Sequence, residues 1–129
     1  MDNINIPATN RTPEVAFNFD SGQLKIVGES YPEDVTRFYN PLFDALGAWL
    51  ASATKQSCQF EFRLIYFNSS SAKAIMMLME KLDEAAEEGM EISVHWYHDP
   101  EDDNMLELGE EFGEDLEHAT FKMVAQEST

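Results

Sequence analysis

The chain has 129 residues, 43% hydrophobic and 12% aromatic, enough for one packed core and too few for two ordinary domains. Its 25 acidic and 8 basic residues leave a formal net charge of −17, which repels nucleic-acid backbones and anionic membranes and leaves basic protein partners open. No apolar run approaches the ~20 residues of a membrane span, and "MDNINIPATN" has neither the basic nor the apolar stretch of a secretory leader, so a cytoplasmic protein is expected.

Along the chain, "NINI" is a weak strand candidate. "EVAFNFD" alternates, with Val15, Phe17 and Phe19 on one face, and reads as a half-buried strand. The turn signal "SGQ" and the strand "LKIVG" complete a hairpin. From Pro32 to about Ser52 the period becomes helical, through Val35, Phe38, Leu42, Leu46 and Trp49. Pro41 interrupts it, so the helix either kinks there or restarts with Asn40 as its N-cap. "CQFEFRLIYF" is apolar on both faces and belongs in the centre of the sheet. Its single cysteine, Cys58, can form no internal disulfide and reads as a small buried residue.

Three serines follow, and then a second helix with Ile75, Leu78, Met79, Leu82 and Ala86 on one face and Gly89 as its stop. "EISVHWYH" is a further strand. Asp99, Pro100, Glu101, Asp102 and Asp103 open a third helix, with Met105, Leu108, Phe112 and Leu116 as its apolar stripe. "TFKMV" is the last strand, and the closing "AQEST" is expected to fray. The order is β-β-α-β-α-β-α-β. An N-terminal hairpin followed by alternating strands and helices predicts a single α/β domain, a mixed sheet of about five strands with helices packed on it.

Metal and catalytic readings find little support. His95 and His98 are an odd number of residues apart on a strand, so they face opposite ways, and His118 stands in a loop without a partner. Asp99, Glu101, Asp103 and Glu110 match positions 1, 3, 5 and 12 of a calcium loop. However, Asn104 replaces the template's glycine, a strand precedes the loop instead of a helix, and the same residues suit a helix start. A small acidic calcium-binding module stays as an alternative reading. The serines have no histidine at a recognisable spacing, and no phosphate-cradling Gly-rich loop is present. The chain is therefore expected to be neither an enzyme nor a cofactor carrier.

"LIYFNSSSAK" carries the functional signal. Ser69 or Ser70 can cap the second helix, but a cap does not explain Lys73, a cation in a first turn where the helix dipole disfavours it by ~0.3–1 kcal/mol. An anion at this helix start would remove the conflict, because a phosphate there meets free backbone N–H groups, the positive dipole end and the Lys73 ammonium.

Two segments, "LKIVGES" and "LIYFNSSSAKAIMML", are similar to the strand–Gly–Glu–helix and strand–Asp–Ser–Ser–Gly–helix segments of STAS domains, the anti-sigma-factor-antagonist fold. Asn68 and Ser71 replace that pattern's aspartate and glycine. "TPEVAF", "GESYPED", "YFNSSSAK" and "WYHDPEDD", spread over nearly the whole chain, resemble the SiaC family of bacterial regulatory phosphoproteins. The resemblance implies a STAS-like fold. It also implies phosphorylation at Ser69 by a serine/threonine kinase, reversal by a PP2C-type phosphatase, and activation of a diguanylate cyclase by the unmodified form. Cyclic di-GMP and biofilm formation or aggregation would then be under control of the switch. Action as an anti-sigma-factor antagonist in partner switching is the alternative that the STAS resemblance implies.

The phosphosite surroundings would be Asn68, Ser70, Ser71 and Lys73. Glu29, Tyr31, Tyr66, Met76, Met77, Tyr97, His98 and Asp99 are the expected partner surface, because the three strand-to-helix turns that hold most of them share one edge of a parallel sheet. Met76 and Met77 lie off the main helical stripe and suit either a partner or a wide buried face.

Overall fold

The computed structural model describes residues 2–52 and 57–127. Nine elements follow one another: β1 (Ile4–Ile6), β2 (Glu14–Asn18), β3 (Gln23–Ser30), α1 (Val35–Ser52), β4 (Ser57–Phe67), α2 (Ser69–Glu87), β5 (Glu91–His98), α3 (Asp103–Glu114) and β6 (Thr120–Ala125). The weak "NINI" signal is a real strand, so the sheet has six strands instead of about five. Three residues pair with Val15, Ala16 and Phe17, and too short a strand shows no period of its own. α1 runs unbroken through Pro41, so the helix does not restart at Asn40. α2 stops where Gly89 predicts, with φ at +107°.

The strands lie in sequence order across one sheet. The pairs β1–β2 and β2–β3 are antiparallel, and β3–β4, β4–β5 and β5–β6 are parallel. Each parallel step needs a crossover, and crossovers are right-handed. Because all three steps go the same way across the sheet, all three helices fall on the same face.

The burial pattern agrees. Val15, Phe17, Leu24, Ile26, Phe60, Phe62, Val94 and Trp96 are closed to solvent and pair across the strands on one face of the sheet. The opposite parity of β4 and β5, including Gln59, Glu61, Arg63, Ser93 and His95, is half-exposed and polar. β4 is central, as expected, but its hydrophobicity is one-sided over most of its length. On the open face Arg63 Nε donates to Glu61 Oε1 at 2.7 Å, and its guanidinium lies 3.8 Å from the Tyr97 ring centroid.

α1 and α2 pack together, while α3 rests on β5 and β6. Glycine permits the last contact. A Cβ at Gly109 would run into the Trp96 indole and the Met123 methyl, and one at Gly113 into the Phe121 ring. The buried indole N–H is satisfied by the Met105 carbonyl at 3.0 Å. Gly109→Ala should therefore destabilise the protein by about 1–2 kcal/mol. Overpacking costs ~1–3 kcal/mol and the helical gain of alanine returns at most ~1 kcal/mol. A urea midpoint equal to or above that of the wild type would show that α3 can lift without cost.

Asp83 fastens the α3–β6 connection to α2. Its carboxylate accepts from the backbone N–H groups of Glu117 at 3.2 Å, His118 at 2.8 Å and Ala119 at 2.8 Å. Partial burial disfavours its charge, but the three donors, aided by nearby His118, outweigh it and hold the carboxyl below its ordinary value. A depressed folded value means stability present above the unfolded carboxylate pKa of ~3.9 and lost as pH falls through the folded one. Asp83→Asn should thus cost most near neutrality, about 1 kcal/mol, and progressively less below pH ~4. Urea titrations at several pH values check this, and a gap that stays constant into strong acid would contradict it.

The expected fraying of the last residues holds for neither Ala125 nor Gln126. Ala125 pairs with His98 in β6, and the Gln126 N–H donates to the His98 carbonyl at 2.8 Å. Ser128 and Thr129 lie outside the described residues.

Candidate functional site at the strand-to-helix edge

The three serines have three different environments. Asn68, extended at φ −86° and ψ 175°, is the N-cap of α2. Its side-chain oxygen accepts from the Ser71 N–H at 2.9 Å and its carbonyl from the Ala72 N–H at 2.9 Å. The cap is thus the asparagine, not Ser69 or Ser70. An Asn side chain reaches the N3 amide as a serine would, and it comes one residue earlier.

Ser69 and Ser70 are exposed, and neither hydroxyl has a hydrogen-bond partner among the described residues. Ser71 is fully buried. Its oxygen accepts from the Ser30 hydroxyl at 2.9 Å, and Ser30 lies 2.6 Å from the Tyr39 hydroxyl. Burial pushes the Tyr39 phenol above its ordinary value, against the bonds from Ser30 and Ser71. Ser71 therefore ties α2 to β3 and α1, and no enzyme can reach it in the folded chain. That leaves Ser69 and Ser70 as accessible acceptors.

The first turn of α2 contains no acidic residue. Lys73 is exposed and, among the described residues, takes part in no ion pair. The positive end of the helix dipole thus lies at Ser69 with no acidic side chain in the first turn of α2, and Lys73 follows one helical turn on.

A bulge shapes the adjoining surface. β3 and β4 pair in step from Gln23↔Gln59 to Gly28↔Leu64, and then Glu29 pairs with Tyr66, skipping Ile65. Gly28, at φ +119°, takes a conformation that other residues avoid. The skipped residue shifts the parity of β4. Leu64 and Phe67 both point into the core, and two consecutive large side chains are turned outward, Ile65 at 60% and Tyr66 at 51% exposure.

Tyr66 meets Tyr31 edge-on, centroids 5.8 Å apart. The Arg11 guanidinium covers the other ring at 5.5 Å, and the Tyr31 N–H donates to the Arg11 carbonyl at 2.7 Å. Glu29 is exposed beside them, and Met77, 40% exposed, stands two helical turns beyond Ser69 and Ser70.

A hollow of about 320 Å³ carries this edge on to β5, with Ile65, Tyr97, His98 and Asp99 in its wall. Most of the predicted partner residues are thereby brought together. Tyr97 reaches the hollow from the open sheet face. His98 is nearly buried, its Nδ1 3.1 Å from the Asp99 carbonyl. Met76 lies apart, in a cleft between α2 and α3. Ile65 was missed by the sequence reading. Its signal was the three-residue step from Leu64 to Phe67, which cannot keep both inward without a bulge.

His95 and His98 do face opposite ways, with His95 Nε2 2.8 Å from the Ser93 hydroxyl on the open face. The acids after β5 act in the helix start. Asp99 accepts from the Glu101 N–H at 2.8 Å, and Asp102, the N-cap of α3, accepts from the Met105 N–H at 3.0 Å. Among the described residues no three His, Cys, Asp or Glu side chains converge as metal ligands do. Burial pushes the Cys58 thiol up to about 12, so it stays protonated and unreactive at neutral pH.

The sequence pattern of the SiaC family, described as SiaC family regulatory phosphoprotein, matches residues 6–126. Uncharacterized protein PA14_02130 of Pseudomonas aeruginosa (strain UCBPP-PA14) is 34% identical over 115 residues, which cover 89% of this chain and 90% of that one. The crystal structure of apo-SiaC from Pseudomonas aeruginosa superposes with a TM-score of 0.89 at 34% identity, covering 97% of this chain and 100% of the other. A chain in the crystal structure of the diguanylate cyclase SiaD in complex with its activator SiaC, from the same species, superposes with a TM-score of 0.86 at 31% identity. It covers 93% of this chain and 98% of that one. With the fold matched end to end and the family pattern spanning nearly every element, the chain belongs to the SiaC family of regulatory phosphoproteins.

Proposed function

We propose that this chain is a non-catalytic cytoplasmic switch. Its unmodified form docks on and activates a diguanylate cyclase, a serine/threonine kinase turns it off by phosphorylating Ser69, and a PP2C-type phosphatase restores it. The observation that carries the reading is the pairing of an exposed Ser69, its hydroxyl without a partner among the described residues, with an outward-turned apolar and aromatic edge, Ile65, Tyr66 and Met77. The complex between the similar activator SiaC and its cyclase SiaD supports the choice of partner. Among the described residues no helix is long and apolar enough to cross a membrane, which is compatible with a freely diffusing regulator.

A phosphate brings ~1.5–2 negative charges. Locally the helix end and Lys73 accommodate it. Across an interface it would have to lose its water against an apolar partner surface, which opposes docking. The decisive experiment adds the purified chain, unmodified or stoichiometrically phosphorylated on Ser69, to the diguanylate cyclase of its own host and follows cyclic di-GMP synthesis. Activation by the unmodified form alone is the expected result. Equal activation by both forms would remove the switch, and activation by neither would remove the cyclase as partner.

A further inference from the structure

α2 and α3 each rest on β5, and between them the surface opens into a cleft of about 120 Å³. Its floor is apolar, formed by Met76 and Met79 from α2, by Phe112 from α3 and by Leu116 just beyond the end of α3. Its rim carries Glu80 and Asp115, both exposed and neither in an ion pair among the described residues. Asp83 also borders it, but its carboxylate is occupied by the three backbone donors of the α3–β6 connection.

The volume decides the size of the occupant. Sites for drug-sized ligands run to ~300–1,000 Å³, so this cleft holds one long side chain. Its chemistry decides the type. An apolar floor beneath a free carboxylate rim matches the aliphatic stem and cationic head of lysine or arginine. Methionine lines such sites well because its unbranched thioether adapts to what enters.

We propose that this cleft is a second docking site, for a basic amphipathic segment of a protein partner anchored by one lysine or arginine side chain. Charge complementarity selects this occupant. The net charge of −17 draws basic segments toward the protein as a whole, and the cleft supplies the fixed geometry that the bare acidic surface lacks. The site is separate from the serine edge. Met76 to Asp83 lie seven to fourteen residues along α2 from Ser69, roughly 10–20 Å at ~1.5 Å per residue, which exceeds the ~8 Å screening length at physiological salt.

The test uses the full chain and a synthetic amphipathic peptide of leucine and lysine alone, about fourteen residues long, titrated by fluorescence anisotropy. Glu80→Lys combined with Asp115→Lys should weaken binding about tenfold or more. Glu107→Lys combined with Glu110→Lys changes the net charge equally on the opposite side of α3 and should weaken it less than about threefold. Glu80→Gln with Asp115→Asn, which leaves shape unchanged, should give an intermediate loss. Ser69→Asp should leave affinity within about twofold, because its added charge is screened. Equal losses in the two charge reversals would mean attraction to a diffuse anionic surface and would overturn the proposal, as would no binding at all. A large loss in Ser69→Asp alone would place the peptide on the serine edge, which also overturns the cleft site but leaves the cyclase switch standing.

Discussion

Ser69→Asp is expected to weaken binding to the proposed partner, a diguanylate cyclase, at least about tenfold, or ~1.4 kcal/mol, while leaving the fold as stable as before or slightly more so. Ser69→Ala is expected to bind like the unmodified protein and to resist the kinase. The two halves of the first expectation have different causes. At the start of α2 there is no acidic residue, the Asn68 side chain already caps the Ser71 amide, and Lys73 is close in the first turns. A carboxylate at position 69 therefore meets a favourable dipole, a gain of ~0.3–1 kcal/mol.

In a complex the same charge must be dehydrated beside Tyr66 and Met77, and that cost falls on binding alone. Affinity down with melting temperature level or raised is the signature of the switch. Affinity and melting temperature falling together would mean that the substitution only damages the first turn. Ser70→Asp is an informative companion, because Ser70 is also exposed but faces one residue further round the helix. An equal loss there would show that the edge senses charge in general and not the position of Ser69.

Tyr66→Ala is the second large expected effect, a loss of about 2 kcal/mol or roughly 30-fold in partner affinity, with a urea midpoint close to that of the wild type. Tyrosines that stand out from a surface yet are held rigid by neighbours make strong anchors, since little side-chain freedom is left to lose on binding. Tyr66 is braced by the Tyr31 ring, itself held by Arg11. Ile65→Ser should give a smaller loss of the same kind. Both side chains are more than half exposed, so truncation opens no cavity and folding should be nearly indifferent. Isothermal titration against the cyclase measures the first quantity and denaturation the second. Unchanged affinity in both variants would move the docking surface elsewhere, the hollow beside Tyr97 and Asp99 being the next place to look.

Which properties were legible in the amino-acid string follows from how local each one is. The helices, the strands β2 to β6 and the stop at Gly89 came from periodicity and turn chemistry, which involve residues only a few positions apart. The one apolar parity of β5 was likewise readable, since "EISVHWYH" alternates without a break. The anionic character needed no coordinates, whereas the cap at Asn68 moves Lys73 out of the first turn where the sequence had placed it. Family membership was signalled by four motifs in order.

The tertiary structure alone decided which serines are accessible and which is buried. Ser69, Ser70 and Ser71 look interchangeable in sequence, but Ser71 is buried because Ser30 and Tyr39 arrive from other elements to bond it, while Asn68 takes the cap. The outward turn of Ile65 and Tyr66 depends on β4 losing step with β3, a register set between strands about 35 positions apart. The uncovered sheet face follows from three right-handed crossovers made in the same direction. Local propensity can place a serine at a helix start, but whether that serine meets solvent or the core is settled by segments distant in sequence packing against it.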